Sequence, residues 1–274
     1  MTTTLRPSGP LQQGAGGARS RPYEIRVNSR RVGALLIACD SPFGPEVGEI
    51  RDLAVDPPDR GRGRATVAAL AAEEVLRGWG CRRIRAVVPA GSPGGIRLAE
   101  ALGYVEYSRN MAKELPDGPP ALPAGVLGRP MTAAEYAQWL PRAVQGYTED
   151  MISRGMPAEA ARAKSQDDHA RGLPQGPATP GTHLLVLEAA GAPVGTVWVG
   201  RNDEGAYVYD VAVGEQHRGR GHGRALMLLA ERAAVGAGER TLGLHVFSGN
   251  VPALRLYESL GYRPTGLNYT KDLI

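Results

Sequence analysis

The sequence predicts an α/β chain built from two copies of one fold unit. Three observations carry that expectation. The first is an internal repeat. The shift that carries Arg60 onto Arg218 also places Asp52-Leu53-Ala54-Val55 on Asp210-Val211-Ala212-Val213 without a gap. It places Leu102-Gly103-Tyr104 on Leu260-Gly261-Tyr262, and Asn110, Lys113 and Leu115 on Asn268, Lys271 and Leu273. About a third of the positions from 52 to 115 match. The second is that apolar strand patterns alternate with helical periodicity in both copies. The third is a Gly/Arg-rich loop between a strand and a helix in each copy.

The elements follow in order. Residues 1–22 are rich in Gly, Ser, Thr, Gln and Pro and predict a disordered tail. Residues 23–115 form the first, shortened unit. Strands are expected over Arg31 to Ala38 and Ile50 to Val55, a helix from near Gly63, and a strand over Arg83 to Val88. Residues 116–125 carry four prolines (PDGPPALPAG) and predict a linker. Residues 126–274 form the second unit. Its strands are expected over Pro193 to Val199, Tyr207 to Val213 and Thr241 to Phe247, with a helix from near Gly221. Gly103 and Gly261 supply left-handed stops after a short helix in each unit. The second unit also has an extra segment. Thr132-Ala133-Ala134-Glu135 is a capping box, a helix follows to about Val144, and Pro157 opens another. The first unit has no such segment to wall a substrate pocket.

Composition narrows the function classes. The 274 residues are 42% hydrophobic with a net charge of +4. Arginines are spread among nearly as many acids, which points to a solvated surface and not to a nucleic-acid partner. No stretch approaches the ~20 apolar residues that span a bilayer, and no signal peptide is evident. Cys39 and Cys81 show neither metal-ligand spacing nor a disulfide framework. A cytoplasmic protein without membrane, metal or nucleic-acid partner is expected, as a monomer with pseudo-twofold halves or a weak homodimer.

The second loop reads Gln216-His217-Arg218-Gly219-Arg220-Gly221-His222-Gly223. Glycines let a backbone approach a pyrophosphate, and unpartnered first-turn N–H groups with the helix dipole favour an anion. A Walker A loop needs a Lys-Ser/Thr that does not occur here. A dinucleotide fingerprint from Gly219 needs a third glycine at 224, where Arg224 stands. What remains is a Gln/Arg-x-x-Gly-x-Gly/Ala loop of the kind that holds the pyrophosphate of coenzyme A. Asn250-Val251-Pro252-Ala253-Leu254-Arg255-Leu256-Tyr257-Glu258-Ser259-Leu260-Gly261-Tyr262 follows.

With this segment the chain resembles the GNAT superfamily of N-acetyltransferases, whose final helix reads Asn-x-x-Ala-x-x-Leu-Tyr-x-x-x-Gly-Phe/Tyr. The layout is similar to tandem GNAT proteins with one degenerate half. The resemblance implies two units with mixed, splayed central sheets, and acetyl transfer from acetyl-CoA to a primary amine of a small molecule or peptide. It implies direct attack in a ternary complex. Coenzyme contacts are implied at Val211, Ala212, Val213, Arg218, Gly219, Arg220, Gly221, His222, Gly223, Arg224 and Asn250. Tyr257 matches the family tyrosine near the coenzyme sulfur and is the expected acid.

Such chemistry needs a neutral amine, donors for an oxyanion and a proton for the departing thiolate. Asp210, at the head of the donor strand, is the favoured base, with Glu188 and His245 behind it. Glu149 and Asp150 are candidates to bind a cationic acceptor. In the first unit Ala99 stands at the position of Tyr257, Ser92 at Asn250 and Pro58 at Gln216. That unit is expected to lack turnover, while Leu53, Val55, Arg60, Gly61 and Gly63 keep the means to hold a second coenzyme A. Two rivals stay open: transfer of a longer acyl group or to another acceptor, and a non-catalytic coenzyme-A-binding sensor or assembly module.

Overall fold

The computed structural model describes residues 2–39, 44–153 and 156–273. The chain divides into two compact units: unit 1 is Met1–Arg109 with Gly266–Ile274, and unit 2 is Asn110–Thr265. The first repeat supplies β1 (Thr3–Pro7), β2 (Gln12–Gln13), β3 (Arg19–Val27), β4 (Arg30–Cys39), β5 (Val47–Val55), α1 (Arg64–Gly78), β6 (Arg83–Pro89), α2 (Pro93–Ala101) and β7 (Val105–Glu114). The second supplies β8 (Val126–Pro130), α3 (Ala133–Ser153), α4 (Ala158–Gly172), β9 (His183–Ala189), β10 (Ala192–Asn202), β11 (Gly205–Val213), α5 (His222–Gly236), β12 (Thr241–Phe247), α6 (Val251–Ser259) and β13 (Arg263–Asp272).

In unit 1 the strand order is β1-β3-β4-β5-β6-β13, with β2 also on β3. In unit 2 it is β7-β12-β11-β10-β9-β8. Both sheets are mixed. The antiparallel pairs of β4 with β5 and β10 with β11 are each followed by a parallel pair, β5 with β6 and β11 with β12. Each parallel pair is bridged by a helix whose apolar face covers the sheet. Ala68, Ala69, Ala72 and Leu76 of α1 are buried, as are Leu226, Leu229, Ala230 and Ala234 of α5.

Two expectations are corrected. The expected disordered tail over residues 1–22 instead contains strands from Thr3 on. β1 pairs antiparallel with β3 from Thr3↔Val27 to Pro7↔Tyr23, and Leu5 packs on the apolar core of unit 1. The threonines favour a strand, and one apolar residue on the inward face suffices beside an otherwise open edge. The compact units also depart from the boundaries at 115 and 126. Residues 110–114 of β7 belong to unit 2, and residues 266–272 of β13 belong to unit 1, where they pair with β6.

Each unit is therefore closed by a strand from the other repeat, and the two closures match. In unit 2 the Leu115 N–H donates to the Arg240 carbonyl at 2.8 Å, and Lys113 Nζ lies 2.8 Å from both oxygens of Glu231, a carboxylate 1% exposed. In unit 1 the Leu273 N–H donates to the Arg82 carbonyl at 2.7 Å, and Lys271 Nζ meets Glu73 at 2.9 and 2.8 Å. Each ammonium also lies over a tyrosine ring, Tyr262 at 5.8 Å and Tyr104 at 5.5 Å.

Candidate active site

The same irregularity recurs in both sheets. In unit 2 Trp198 pairs with Asp210 and Val199 with Val208, so Tyr209 is an extra residue in β11. In unit 1 Leu36 pairs with Asp52 and Ile37 with Ile50, so Arg51 is extra. Such a bulge turns side chains relative to the regular pleat. Beyond it the parallel strands part: β11 pairs with β12 from Ala206↔Leu242 to Val208↔Leu244, and Asp210 to Val213 lie past that register. This is the predicted splay. Gly195 lies beside it, and a Cβ there would stand 2.5 Å from the Ala212 carbonyl oxygen and 2.7 Å from Leu226. Gly33 takes the corresponding place in unit 1, where a Cβ would collide with the Ala54 carbonyl oxygen.

Asp210 is half-buried beneath α3. The Trp139 indole N–H donates to its Oδ2 at 3.4 Å. Burial raises the Asp210 pKa above the usual carboxylate range. The Trp139 hydrogen bond, His169 and the Val211 backbone N–H act in the opposite sense without cancelling it. His169 is buried on α4, and its Nδ1 lies 2.8 Å from the Ser165 carbonyl oxygen. A carbonyl only accepts, so Nδ1 carries the hydrogen.

Aromatic rings surround this carboxylate. Trp139 meets Trp198 edge-on at 5.9 Å, Tyr136 at 6.0 Å and His169 at 6.4 Å, while Tyr209 stacks on Trp198 at 4.7 Å. A cavity of about 270 Å³ opens beside Tyr207 and Gly243, with Asn110, Asn202, Asp203 and Glu204 also on its walls.

Tyr257 lies on α6, which Asn250 caps by accepting from the Ala253 N–H at 3.2 Å. The phenol is 6% exposed, and burial followed by the Asp210 charge pushes its pKa up to about 12. It therefore holds its proton at neutral pH. Asn250 and Ser92 make the same cap in their two units, so the Asn250 side chain has a structural task in place.

Gly219 and Gly221 take left-handed φ values of 74° and 81°, and nothing lies within 4 Å of where their Cβ atoms would be. Gly221 is the N-cap of α5 with no side-chain capping bond. An open loop over uncapped first-turn N–H groups fits a pyrophosphate. Gly223 has a packing reason as well, since a Cβ there would meet Leu256 of α6 at 3.2 Å. Among the loop cations, Arg218 lies 3.7 Å from Glu215, and Arg224 donates to Ser259 Oγ at 2.6 Å. His217 and His222 sit edge-on at 6.3 Å.

The structure does not bring every candidate together. Glu188 is held by Arg129 Nε at 2.7 Å, and Arg129 also binds Glu135 of the capping box. Glu188 is thus engaged in an ion pair that ties β9 to β8 and the capping box. Glu149 accepts from Gln145 at 2.8 Å, and His245 stands edge-on to Phe247 at 4.5 Å. Trp139, His169 and Trp198 were not among the candidates. A tryptophan on a helix expected to border the site was the available signal, because a buried indole N–H needs an acceptor.

Unit 1 keeps the loop geometry, with Gly61 and Gly63 at φ values of 70° and 71°. Its surroundings differ. Asp52 is exposed, and Ala99 is the buried residue on α2. Asp59 is buried at the helix entrance, where Arg30 binds it at 2.8 Å through two nitrogens and Arg64 closes on it as well. Arg60 Nε donates to the Val55 carbonyl at 2.8 Å.

Among the described residues no helix is long and apolar enough to cross a membrane, and no cluster could hold a metal ion. The model of the acetyltransferase (GNAT) family matches twice, over residues 11–104 and 149–262. An uncharacterized N-acetyltransferase, YycN, of Bacillus subtilis is 32% identical over 151 residues, covering 53% of this chain and 96% of its own length. A mycothiol acetyltransferase of Streptomyces bingchenggensis is 26% identical over 285 residues, covering 94% of this chain and 86% of its own. The crystal structure of a GCN5-related N-acetyltransferase from Sphaerobacter thermophilus shares the fold, with a TM-score of 0.61 and 20% identity over 92% of this chain and 80% of that one. Two family matches, one in each repeat, lead to one conclusion: the chain belongs to the acetyltransferase (GNAT) family as a tandem member, an acetyltransferase that draws on acetyl-CoA.

Proposed function

We propose that unit 2 transfers an acetyl group from acetyl-CoA to a primary amine by direct attack with both substrates bound. One observation carries the reading. Asp210 lies just past the point where β11 and β12 part, its charge raises the Tyr257 phenol pKa further, and α6, which carries Tyr257, comes against Gly223 of the open loop through Leu256. The raised carboxylate is a stronger base than an ordinary aspartate, and the raised phenol stays protonated. These are the states that a proton acceptor for the amine and a proton donor for the departing thiolate need. With the Val211 N–H engaged by the Asp210 carboxylate, the backbone N–H groups of Ala212 and Val213 are the donors left for the charge that develops on oxygen. Acetyl-CoA brings the activated thioester. The residues that would hold it are Arg218, Gly219, Arg220, Gly221, His222, Gly223 and Arg224.

The acceptor is a small-molecule or peptide amine. The alignment with a mycothiol acetyltransferase over 94% of the chain supports the small molecule. Unit 1 carries no turnover in this reading. Its loop backbone at Leu53, Val55, Arg60, Gly61 and Gly63 keeps the shape for a pyrophosphate, although Asp59 already occupies Arg30 and Arg64.

The test is thiol release from acetyl-CoA over a panel of primary amines. Tyr257→Phe keeps the ring and removes the hydroxyl. Turnover is expected to fall about 100- to 10,000-fold with the melting temperature little changed. Wild-type turnover in a folded Phe variant would leave Tyr257 a packing residue. Thiol release with no amine, but with other acceptors or longer thioesters, would move the reading to another acyl transfer. Silence over all panels would leave a coenzyme-binding module.

A further inference from the structure

Asp52 and Asp210 share one place in the repeat, and each follows the same bulge. They differ in what covers them. α3 and α4 have no counterpart before β3 in unit 1, where Asp52 is exposed. In unit 2 these helices place Trp139 and His169 over Asp210. Trp139 is 9% exposed and is wedged among Tyr136, His169 and Trp198. Its ring is fixed by packing, and its one polar atom is aimed at one carboxylate oxygen.

We propose that Trp139 is a positioning residue of the transfer: its indole N–H holds Oδ2 of Asp210 and so presents Oδ1 to the proton of the acceptor amine. The proposal rests on Asp210 being the base. An indole N–H donates and cannot accept, so this bond favours the carboxylate over the carboxylic acid without competing for the proton being moved. The other groups facing Asp210 are His169 from α4, Tyr257 from α6 and the Val211 N–H of its own strand. Trp198, its partner across β10, packs edge-on against Trp139, and its own buried indole Nε1 has no hydrogen-bond partner among the described residues. The inserted helices are thereby part of the base and more than a wall.

Two measurements test this. The first needs no acceptor. The protein with ¹⁵N-labelled tryptophan has three indole N–H signals, and Trp139→Phe identifies one of them. In the wild type that signal is expected to move with pH, with a midpoint above the ordinary carboxylate range. It is expected to stay fixed in Asp210→Asn. A Trp139 signal that is flat from acid to neutral pH overturns the proposal even if Asp210 is the base. The second is the pH profile of thiol release with the best primary amine of the panel. Trp139→Phe keeps an aromatic ring and loses the donor, so beyond any loss of stability from the smaller ring the acidic limb should move up by about one pH unit and the maximal rate should fall about tenfold. An unmoved limb with only a lower melting temperature would mean Trp139 is packing alone. If Asp210→Asn keeps both the limb and the rate, the base reading fails, and the proposal with it.

Discussion

The two units carry the same bulged strand, the same aspartate on it and the same left-handed glycines after it, yet the same residue does different things in each. Asp52 is exposed to water, whereas Asp210 lies under α3, with an indole N–H on one oxygen and a buried phenol close enough to feel its charge. At the helix entrance unit 1 places a buried Asp59 between Arg30 and Arg64, where unit 2 has His217 and His222. The difference teaches that the repeat unit supplies geometry and the local additions supply chemistry. A bulge can aim a carboxylate. It takes cover to change what that carboxylate can do.

The comparison can be broken at several points. The largest effect belongs to the loop. Gly221→Asp puts a carboxylate and a strained left-handed residue where phosphates approach, and it is expected to abolish coenzyme binding and turnover; Gly219→Asp should do the same. Gly61→Asp and Gly63→Asp should leave turnover nearly intact. Calorimetry with acetyl-CoA and steady-state rates on folded variants decide this, and equal losses from both units would favour two active or strongly coupled sites.

The next effect is on stability, and it tests whether each unit depends on the other repeat. Lys113→Ala strands the buried Glu231 of unit 2 and should cost about 3 kcal/mol, lowering the melting temperature of that unit although Lys113 belongs to the first repeat. Lys271→Ala should do the same to unit 1 through Glu73. Replacing Lys113 and Glu231 together by Met should recover most of the loss. A single Lys113→Ala variant as stable as the wild type would show that the closure of unit 2 does not depend on this pair.

A smaller effect separates stability from function at one residue. The folded-state pKa of Asp210 is raised, so the native state binds a proton that the unfolded chain has released. The wild type is therefore expected to lose stability as pH rises from the ordinary carboxylate range through the raised value. Asp210→Asn lacks that loss. Its melting temperature relative to the wild type should climb over that window and then level off. A difference that stays constant with pH would show that Asp210 is not held against its ionisation.

Much of this was legible in the sequence. The ungapped repeat, the strand and helix order, the glycine stops and the loop all follow from local patterns, and the structure places them close to where they were expected. β1 was missed because a short Thr-rich segment carries no periodicity; its structure comes from the open edge of β3. The trade of β7 and β13 was missed for a different reason. A strand's sequence states which face is apolar, and Lys113 and Lys271 look alike; nothing local says which sheet each joins. At the site, the family resemblance and the loop pattern single out Tyr257, Asp210 and the loop glycines as candidates, but not the partners of Asp210. Trp139 and His169 meet it across 71 and 41 positions of chain, a closeness that only packing creates.

The central claim is that covering Asp210 makes unit 2 the catalytic one. It is tested most directly by the pH dependence of thiol release from acetyl-CoA in paired variants, Asp210→Asn and Asp52→Asn, with the same primary amine. The wild type and Asp52→Asn should share one rate and one acidic limb lying above the ordinary carboxylate range, while Asp210→Asn should lose about 100-fold or more and show no such limb. Asp210→Asn with an unchanged limb, or Asp52→Asn with an equal loss in a folded protein, would contradict the account.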